Sequence, residues 1–181
     1  MNGEKGALNK AARKWLLWGI PAAFALGTVL HFLYDWTDKS VLAGLISPVN
    51  ESIWEHLKLP FWPLLLWWGA GYFFFGKRAG VTPARWFSAC ALSLWVSVLF
   101  IVVLHYTYEG AIGGETMLVD ILGMLAGITL GQLLALRALN RAGIRGGSLA
   151  LALAAIVLLA AALLAFPFVP PKIPLFRDAK S

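Results

Sequence analysis

Apolar runs, each about as long as a helix needs to cross a bilayer, most constrain what this chain can fold into. They cover residues of about 15–34, 59–75, 86–106, 117–139 and 149–168. A spanning helix needs about 20 apolar residues, and only helices or closed barrels satisfy their backbone polar groups in lipid. Continuous runs of this length favour helices. The sequence therefore predicts an all-α integral membrane protein, a single domain over residues 1–181 with five transmembrane helices.

Composition and charge agree with this class. Hydrophobic residues make up 60% of the chain, charged residues 13%, and the mean hydropathy is +0.75, values typical of integral membrane proteins. The net charge of +6 is spread over connecting segments, so the bilayer is the expected partner and nucleic-acid binding is not expected. Cys90 is the single cysteine, which excludes a disulfide framework and a thiol metal cluster.

The distribution of charge predicts the orientation. The N-terminal tail and residues 77–85 and 137–147 carry ten basic groups and one acid, or +9. The segments on the other side carry five basic groups and eight acids, or −3, and the two values sum to +6. Since cytoplasmic loops are enriched in Lys and Arg, we expect a cytoplasmic N-terminus and an extracytoplasmic C-terminus.

The densest polar stretch is residues 48–58, PVNESIWEHLK. The apolar segment before it, residues 41–46, is too short to span and is expected to lie at the interface or to re-enter the membrane. Ser47 suits an N-cap and Pro48 the first helical position, so the pattern predicts an outer amphipathic helix over 48–58. Its polar side is expected to present Glu51, Ser52, Glu55, His56 and Lys58.

All three histidines fall on the predicted outer side. His31 and His105 lie near the outer ends of spans one and three, and His56 lies in the connection between spans one and two. A local echo, His-x-x-Tyr-acid, occurs at 31–35 and at 105–109. Residues four apart share a helix face, so each copy can present an imidazole beside a carboxylate. The alternative is ordinary polar chemistry where a helix leaves the bilayer.

Span four carries a ridge of small residues, Gly123, Gly127 and Gly131, which allows close approach by another helix. Asp120 lies on the same face and is expected to point into the bundle. The short turn between spans three and four makes them antiparallel neighbours. This predicts a His105–Asp120 pair, either as a hydrogen bond or as two ligands of one ion. The ridge could also bind a membrane-protein partner.

The chain ends in a proline-rich segment, residues 167–177, that favours extended geometry. It is expected either to fold back across the outer face as a lid or anion-binding strap, or to be a mobile tail.

The run PVNESIWEHLK resembles the hallmark of a family of small bacterial integral membrane proteins of unknown function. The 31–35 segment before it and the PPKIPLF run of the tail are also similar to that family. The resemblance covers most of the chain. It implies a location in the bacterial inner, or cytoplasmic, membrane, and it implies no activity.

The histidines and carboxylates on the predicted outer side indicate, as a first interpretation, an outward-facing metalloenzyme or ion-assisted hydrolase. Mixed imidazole and carboxylate ligands suit zinc, manganese or iron, and a carboxylate such as Glu55 can act as a general base. Substrates are expected at the outer leaflet, among lipid head groups and lipid-linked precursors. The candidate catalytic residues are Glu51, Glu55 and His56; the candidate metal ligands are His31, Asp35, His56, His105 and Asp120; the candidate substrate-binding residues are Tyr34, Asn50, Trp54, Lys58 and Tyr108.

Other classes of function stay open at this level. The same groups suit a protein that binds or transports a small cation or relays protons, although the inner half offers few polar steps. The chain also suits a non-catalytic subunit or scaffold of a membrane assembly. Such a non-catalytic subunit could also bind haem, with His31 and His105 as the two axial ligands, but the sequence offers no cluster that would bind the haem propionates. Whether the protein is an enzyme is not decided by the sequence.

Overall fold

Helices joined by turns make up the computed structural model, which describes residues 8–114, 116–140 and 148–178. No strand occurs in these ranges, so the prediction of an all-α chain is confirmed. Six charged residues that enter the predicted charge distribution lie outside the described residues: Glu4, Lys5, Glu115, Arg141, Arg145 and Lys180. The helices are α1 (Lys10–Trp36), α2 (Val41–Gly44), α3 (Ile53–His56), α4 (Lys58–Gly71, continued by a π-helical turn Tyr72–Gly76), α5 (Pro83–Ile112), α6 (Met117–Asn140) and α7 (Leu149–Ala165), followed by a 3-10 turn (Pro174–Phe176).

Three of these helices, α1, α5 and α6, are long and apolar enough to cross a membrane. They contain predicted spans one, three and four. The helix of predicted span five, α7, has 17 residues and that of predicted span two, α4, has 14 before its π-helical turn. Length and composition within the described residues therefore single out three membrane-length helices.

The glycine ridge of α6 packs against α5 of the same chain. A Cβ atom added to Gly127 would lie 2.9 Å from the Ser97 carbonyl oxygen, and one added to Gly131 would lie 2.5 Å from the Ser93 carbonyl oxygen. Only glycine allows the two backbones to approach so closely. In this chain α5 therefore covers the ridge, and the use of the ridge by a membrane-protein partner stays a prediction.

Gln132 is the polar centre of the bundle interior and is itself buried. Its Oε1 accepts hydrogen bonds from Trp68 Nε1 at 2.7 Å and from Ser93 Oγ at 3.0 Å. Its Nε2 donates to the Leu16 carbonyl at 2.9 Å. One side chain thus joins α1, α4, α5 and α6. A buried polar network of this kind specifies a unique packing when its members are satisfied.

The helices end together at one end of the bundle, here called the histidine end. A short turn makes α5 and α6 antiparallel, and α1 and α4 are antiparallel because Gly27 lies against Leu59 and Trp15 against Trp67. The C-terminal ends of α1 and α5 therefore lie beside the N-terminal ends of α4 and α6, respectively. His31, His56 and His105 all lie at this end. The predicted sorting of the three histidines to one end therefore holds in the fold.

The segment between α1 and α4 does not form the predicted helix over 48–58. Helix α3 begins only at Ile53, and Ser52 is its N-cap, with Oγ accepting from Glu55 N at 3.4 Å. Ser47 does not cap a helix. Its Oγ donates to the Leu30 carbonyl at 2.6 Å and accepts from Tyr34 N at 3.2 Å, so it ties the loop to α1. The prediction is wrong because this tertiary contact competes with the local capping pattern.

Two residues of the expected polar side of that helix, Glu55 and Lys58, are buried. Their side chains are 2% and 1% exposed, and Lys58 Nζ lies 2.7 Å from Glu55 Oε2. The ammonium also donates to the Gly44 carbonyl at 2.8 Å, and the same carboxylate oxygen accepts from Val49 N at 2.9 Å. Residues 44–49 wrap over the pair and supply the backbone partners that buried charges need. Helical periodicity cannot anticipate a loop that folds back.

The glycine contacts predict opposite effects for two Gly→Ala substitutions. Gly131→Ala places a methyl group against the backbone of α5 and should destabilise the protein by about 1–3 kcal/mol. Gly69→Ala is the matched control, since a Cβ there meets nothing within 4 Å and helix propensity should make it neutral or stabilising by about 0.5–1 kcal/mol. The measurement is the midpoint of thermal unfolding in detergent. Labelling of the Cys90 thiol, which is buried in the folded protein, monitors the unfolding. Equal midpoints for the two variants would contradict this packing.

The buried pair predicts non-additive substitutions. Lys58→Met leaves the Glu55 carboxylate without its cation and should cost about 3–5 kcal/mol. The double variant Lys58→Met, Glu55→Leu removes both charges and should be more stable than the single variant. Thermal midpoints of four proteins, the wild type, Lys58→Met, Glu55→Leu and the double variant, again read by Cys90 labelling, give the comparison. If the two substitutions instead added in full, the pair would not be a coupled, buried one.

Candidate functional site

Three side chains that can bind a metal converge at the histidine end. His31 comes from α1, His56 from α3, and Glu51 from the loop before α3. His56 Nε2 lies 3.2 Å from His31 Nε2 and 3.4 Å from Glu51 Oε2. One ligand atom from each residue lies within 4.8 Å of the other two, and all three residues are half-buried. Among the described residues this is the group that could hold a metal ion.

Local structure determines which nitrogen of His56 can bind. His56 Nδ1 lies 2.8 Å from the Ser52 carbonyl oxygen, which can only accept, so Nδ1 carries the proton in this contact. In the neutral ring Nε2 then has a free lone pair, and it is this atom that faces His31 and Glu51. Metal-binding histidines commonly donate their other ring N–H to a backbone carbonyl in this way. The cap that starts α3 thus also orients the ring.

Two of the three separations in this group match those of a tetrahedral metal site. Ligand atoms about 2.0–2.1 Å from a tetrahedral ion lie about 3.3–3.4 Å apart. The Nε2–Nε2 separation of 3.2 Å and the Nε2–Oε2 separation of 3.4 Å are close to that value. Two imidazoles and a carboxylate leave one position of a four-coordinate ion for water or substrate.

A polar cleft of about 340 Å³ opens beside this group. His31 and Glu51 line it, together with three more residues singled out by the sequence, Tyr34, Asp35 and Asn50. Asn50 also has a structural role, since its Oδ1 accepts from Ser52 N at 3.0 Å just before α3. The remaining lining residues are Lys39, Pro48, Val49 and Asp178.

His105 and Asp120 form a second cluster instead of joining the first. His105 Nδ1 lies 3.0 Å from Asp120 Oδ1, so the predicted pair is present as a hydrogen bond. Tyr108 Oη donates to the same carboxylate oxygen at 2.8 Å, and Glu109 Oε2 lies 3.7 Å from His105 Nε2. The predicted ligand set therefore divides in two. His31 Nε2 lies against His56, and His105 Nδ1 lies against Asp120, so the two histidines of the haem interpretation belong to different clusters among the described residues.

Glu55, Lys58 and Trp54 do not line the polar cleft. Glu55 and Lys58 neutralise each other beneath it, an arrangement that suits a structural role better than the expected roles of general base and substrate ligand. Trp54 packs on aromatic rings, with its centroid 5.2 Å from Phe166 and 4.8 Å from Phe176.

The proline-rich tail folds back over α3, one of the two alternatives left by the sequence. Phe176 contacts both Trp54 and Phe166. This aromatic contact brings Asp178 to the polar cleft, where sequence reasoning did not expect it. Lys39 was also missed, because a single charge in a loop gives no signal of its own. The one available signal for Asp178 was the length and stiffness of the tail.

A family model described as Family of unknown function (DUF6512) matches residues 5–181. The match covers every described helix, both histidine clusters and the tail. No curated protein and no solved structure matches the chain. The expectation of a family without an assigned function is confirmed at that level, and the chain belongs to the family of unknown function DUF6512.

Proposed function

We propose that this protein is a bacterial inner-membrane hydrolase whose extracytoplasmic face holds one divalent metal ion and acts on outer-leaflet substrates. The convergence of His31, Glu51 and His56, with both separations from His56 Nε2 close to tetrahedral values, is the observation that carries the proposal. The polar cleft beside these residues supplies room for a substrate group next to the ion.

The ligand set favours zinc over manganese and iron, the other two metals that suit the donor atoms found in the sequence. Two imidazoles and one carboxylate, with a fourth position open, are the usual protein ligands of a catalytic zinc ion. Such an ion lowers the pKa of bound water toward neutrality and polarises the bond under attack. Manganese and iron accept the same donor atoms. The donor set therefore supports a divalent metal ion in general, and zinc is the member of that class that it fits best.

The cleft supplies the remaining groups for ester hydrolysis. A divalent ion held by His31, Glu51 and His56 would supply an activated water for this chemistry. In ester hydrolysis the new bond from the water oxygen to the ester centre would replace the bond to the leaving alcohol. Asp35, on the wall of the same cleft, can take the proton from the water and return it to the alcohol. It replaces Glu55 in the role of general base, because Glu55 is held by Lys58 and Val49 N.

Helix length and charge together support the proposed placement in the membrane. Helices α1, α5 and α6 are of membrane length. Helix α4 with its π-helical turn covers residues 58–76, and α7 covers 17 residues. Both are close to the minimum span of about 17 residues. In the proposed arrangement all five helices cross the bilayer with the excess of basic groups inside, and the histidine end is then extracytoplasmic.

Polar groups in the bundle interior support a site at the end of the bundle more than a transport path. Ser93 Oγ donates to Gln132, and Ser97 Oγ donates to the Ser93 carbonyl at 2.8 Å. Gln132 in turn is bonded to Trp68 and Leu16. These groups are engaged with one another across helices, as in a structural network.

Metal content tests the site. Protein purified in the presence of zinc should hold about one ion per chain, with three protein ligands. His31→Gln and His56→Gln should each lower affinity at least about 100-fold, since loss of an outer-shell partner alone costs about 10–100-fold. Elemental analysis and competition with a chromogenic chelator provide the measurement.

His105→Gln serves as the matched control for these variants. It removes a histidine of the second cluster at the same end of the bundle, and it should keep the ion. A wild-type protein free of metal would overturn the proposal, and so would equal loss of metal in His105→Gln and His56→Gln.

Accessibility tests the orientation. In a Cys90→Ala background, Ala111→Cys reports on the histidine end and Lys77→Cys on the opposite end; both positions are exposed. A membrane-impermeant maleimide added to intact bacterial cells with a permeabilised outer membrane should label the variant at 111 and not the variant at 77. The reverse pattern would invert the orientation, and labelling of both in intact cells would contradict the span arrangement.

A further inference from the structure

An apolar groove adjoins the polar cleft at the histidine end. It has a volume of about 210 Å³ and lies between the end of α1, the loop with α2, and the end of α7. Tyr34 and Val49 line both the groove and the cleft. The two cavities are therefore neighbours, one polar and one apolar, with shared walls. The other lining residues of the groove are Val41, Gly44, Leu45, Leu164, Pro167 and Phe168.

Both shared walls are held in place by hydrogen bonds. Val49 N donates to Glu55 Oε2, so the buried ion pair fixes the backbone that separates the cavities. Tyr34 N donates to Ser47 Oγ, which ties the end of α1 to the same loop. A tyrosine ring has an apolar body and a polar tip, which suits a residue placed between an apolar and a polar compartment.

The groove opens among strongly exposed apolar side chains. Val41 is 71% exposed, Phe168 69% and Val169 76%, and Leu42 of α2 is 76% exposed. An apolar patch of this kind marks a surface that meets lipid or an apolar ligand. At the proposed outer face it would lie at the level where acyl chains meet head groups.

Charge in the polar cleft favours an anionic head only when metal is present. Asp35, Glu51 and Asp178 contribute −3 and Lys39 contributes +1, so the formal sum with neutral histidine is −2. A divalent ion brings this sum to zero and adds a local positive centre beside Lys39. Bound cations of this kind invert the local electrostatics of a site.

We propose that the ligand is an amphiphile with one apolar chain in the groove and a phosphoester head on the metal in the polar cleft. This inference rests on the proposed function and names the substrate class of the same site. The metal would contact a phosphate oxygen, and Lys39 would supply a second positive charge. The groove would bind the apolar chain up to the length that its volume allows.

The experiment measures binding of lysophosphatidate with a short, a medium and a long acyl chain, beside glycerol 3-phosphate. Native mass spectrometry on the protein in nanodiscs, zinc-loaded or chelator-treated, reads both ligand and metal. Affinity of the zinc-loaded protein should rise about tenfold for every two methylenes that enter the groove, then level off when the groove is full. Chelation should remove binding of the phosphate head.

Leu164→Trp fills the groove, and Leu158→Trp is its control, because Leu158 lies on the same helix, is 64% exposed and does not line the groove. Leu164→Trp should lose at least about tenfold in affinity for the long chain, as expected when about two methylenes are excluded. It should keep its zinc and its affinity for glycerol 3-phosphate, which also shows that it is folded. Leu158→Trp should behave as the wild type.

The outcomes separate this inference from the proposed function. A wild-type protein without zinc would overturn the metal site itself. Zinc-loaded protein whose affinity ignores chain length, or a Leu164→Trp variant with undiminished long-chain affinity, would overturn the groove assignment alone. Equal binding after chelation, or preference for an amphiphile with an ammonium head and no phosphate, would overturn the assignment of the head.

Discussion

The buried ion pair between Glu55 and Lys58 is the interaction on which the histidine end depends. Removing two charges from water costs several kcal/mol each unless further partners compensate, and here the partners are backbone groups of residues 44–49. The loop must therefore close over the pair. Closure fixes Val49 between the two cavities and leads into Ser52, the N-cap of α3, whose carbonyl orients the His56 ring.

Polar residues serve two separate purposes in this chain. In the interior, Gln132 and Ser93 bond to neighbours on other helices, and the glycine ridge lets α5 and α6 touch. These contacts hold the helices together, and the Gln132 amide and the Ser93 hydroxyl each have hydrogen-bond partners. At the histidine end the imidazoles and carboxylates face one another beside a cleft. A rigid helical bundle that positions such side chains at one end suits a binding or catalytic site, because rigid elements hold side chains precisely.

The two His-x-x-Tyr-acid segments show how far local pattern can mislead. Both end long parallel helices, yet His31 meets His56 and Glu51, whereas His105 meets Asp120 and Tyr108. The connection after each helix decides the partner. A long loop with α3 comes after α1, and a short turn into α6 comes after α5. The second cluster bonds within two neighbouring helices, and the first draws on a loop that comes from farther away.

The sequence by itself determined the helical class, the packing role of the glycine ridge, the sorting of histidines to one end and the His105–Asp120 pair. Each of these follows from periodicity or from a short connection, which are local properties. Only the tertiary structure decided that Glu55 and Lys58 are buried, that Ser47 binds α1 instead of capping a helix, and that the tail brings Asp178 to the cleft. These depend on a loop and a tail folding back over the helices, and contacts between segments so far apart leave no periodic signal in the chain.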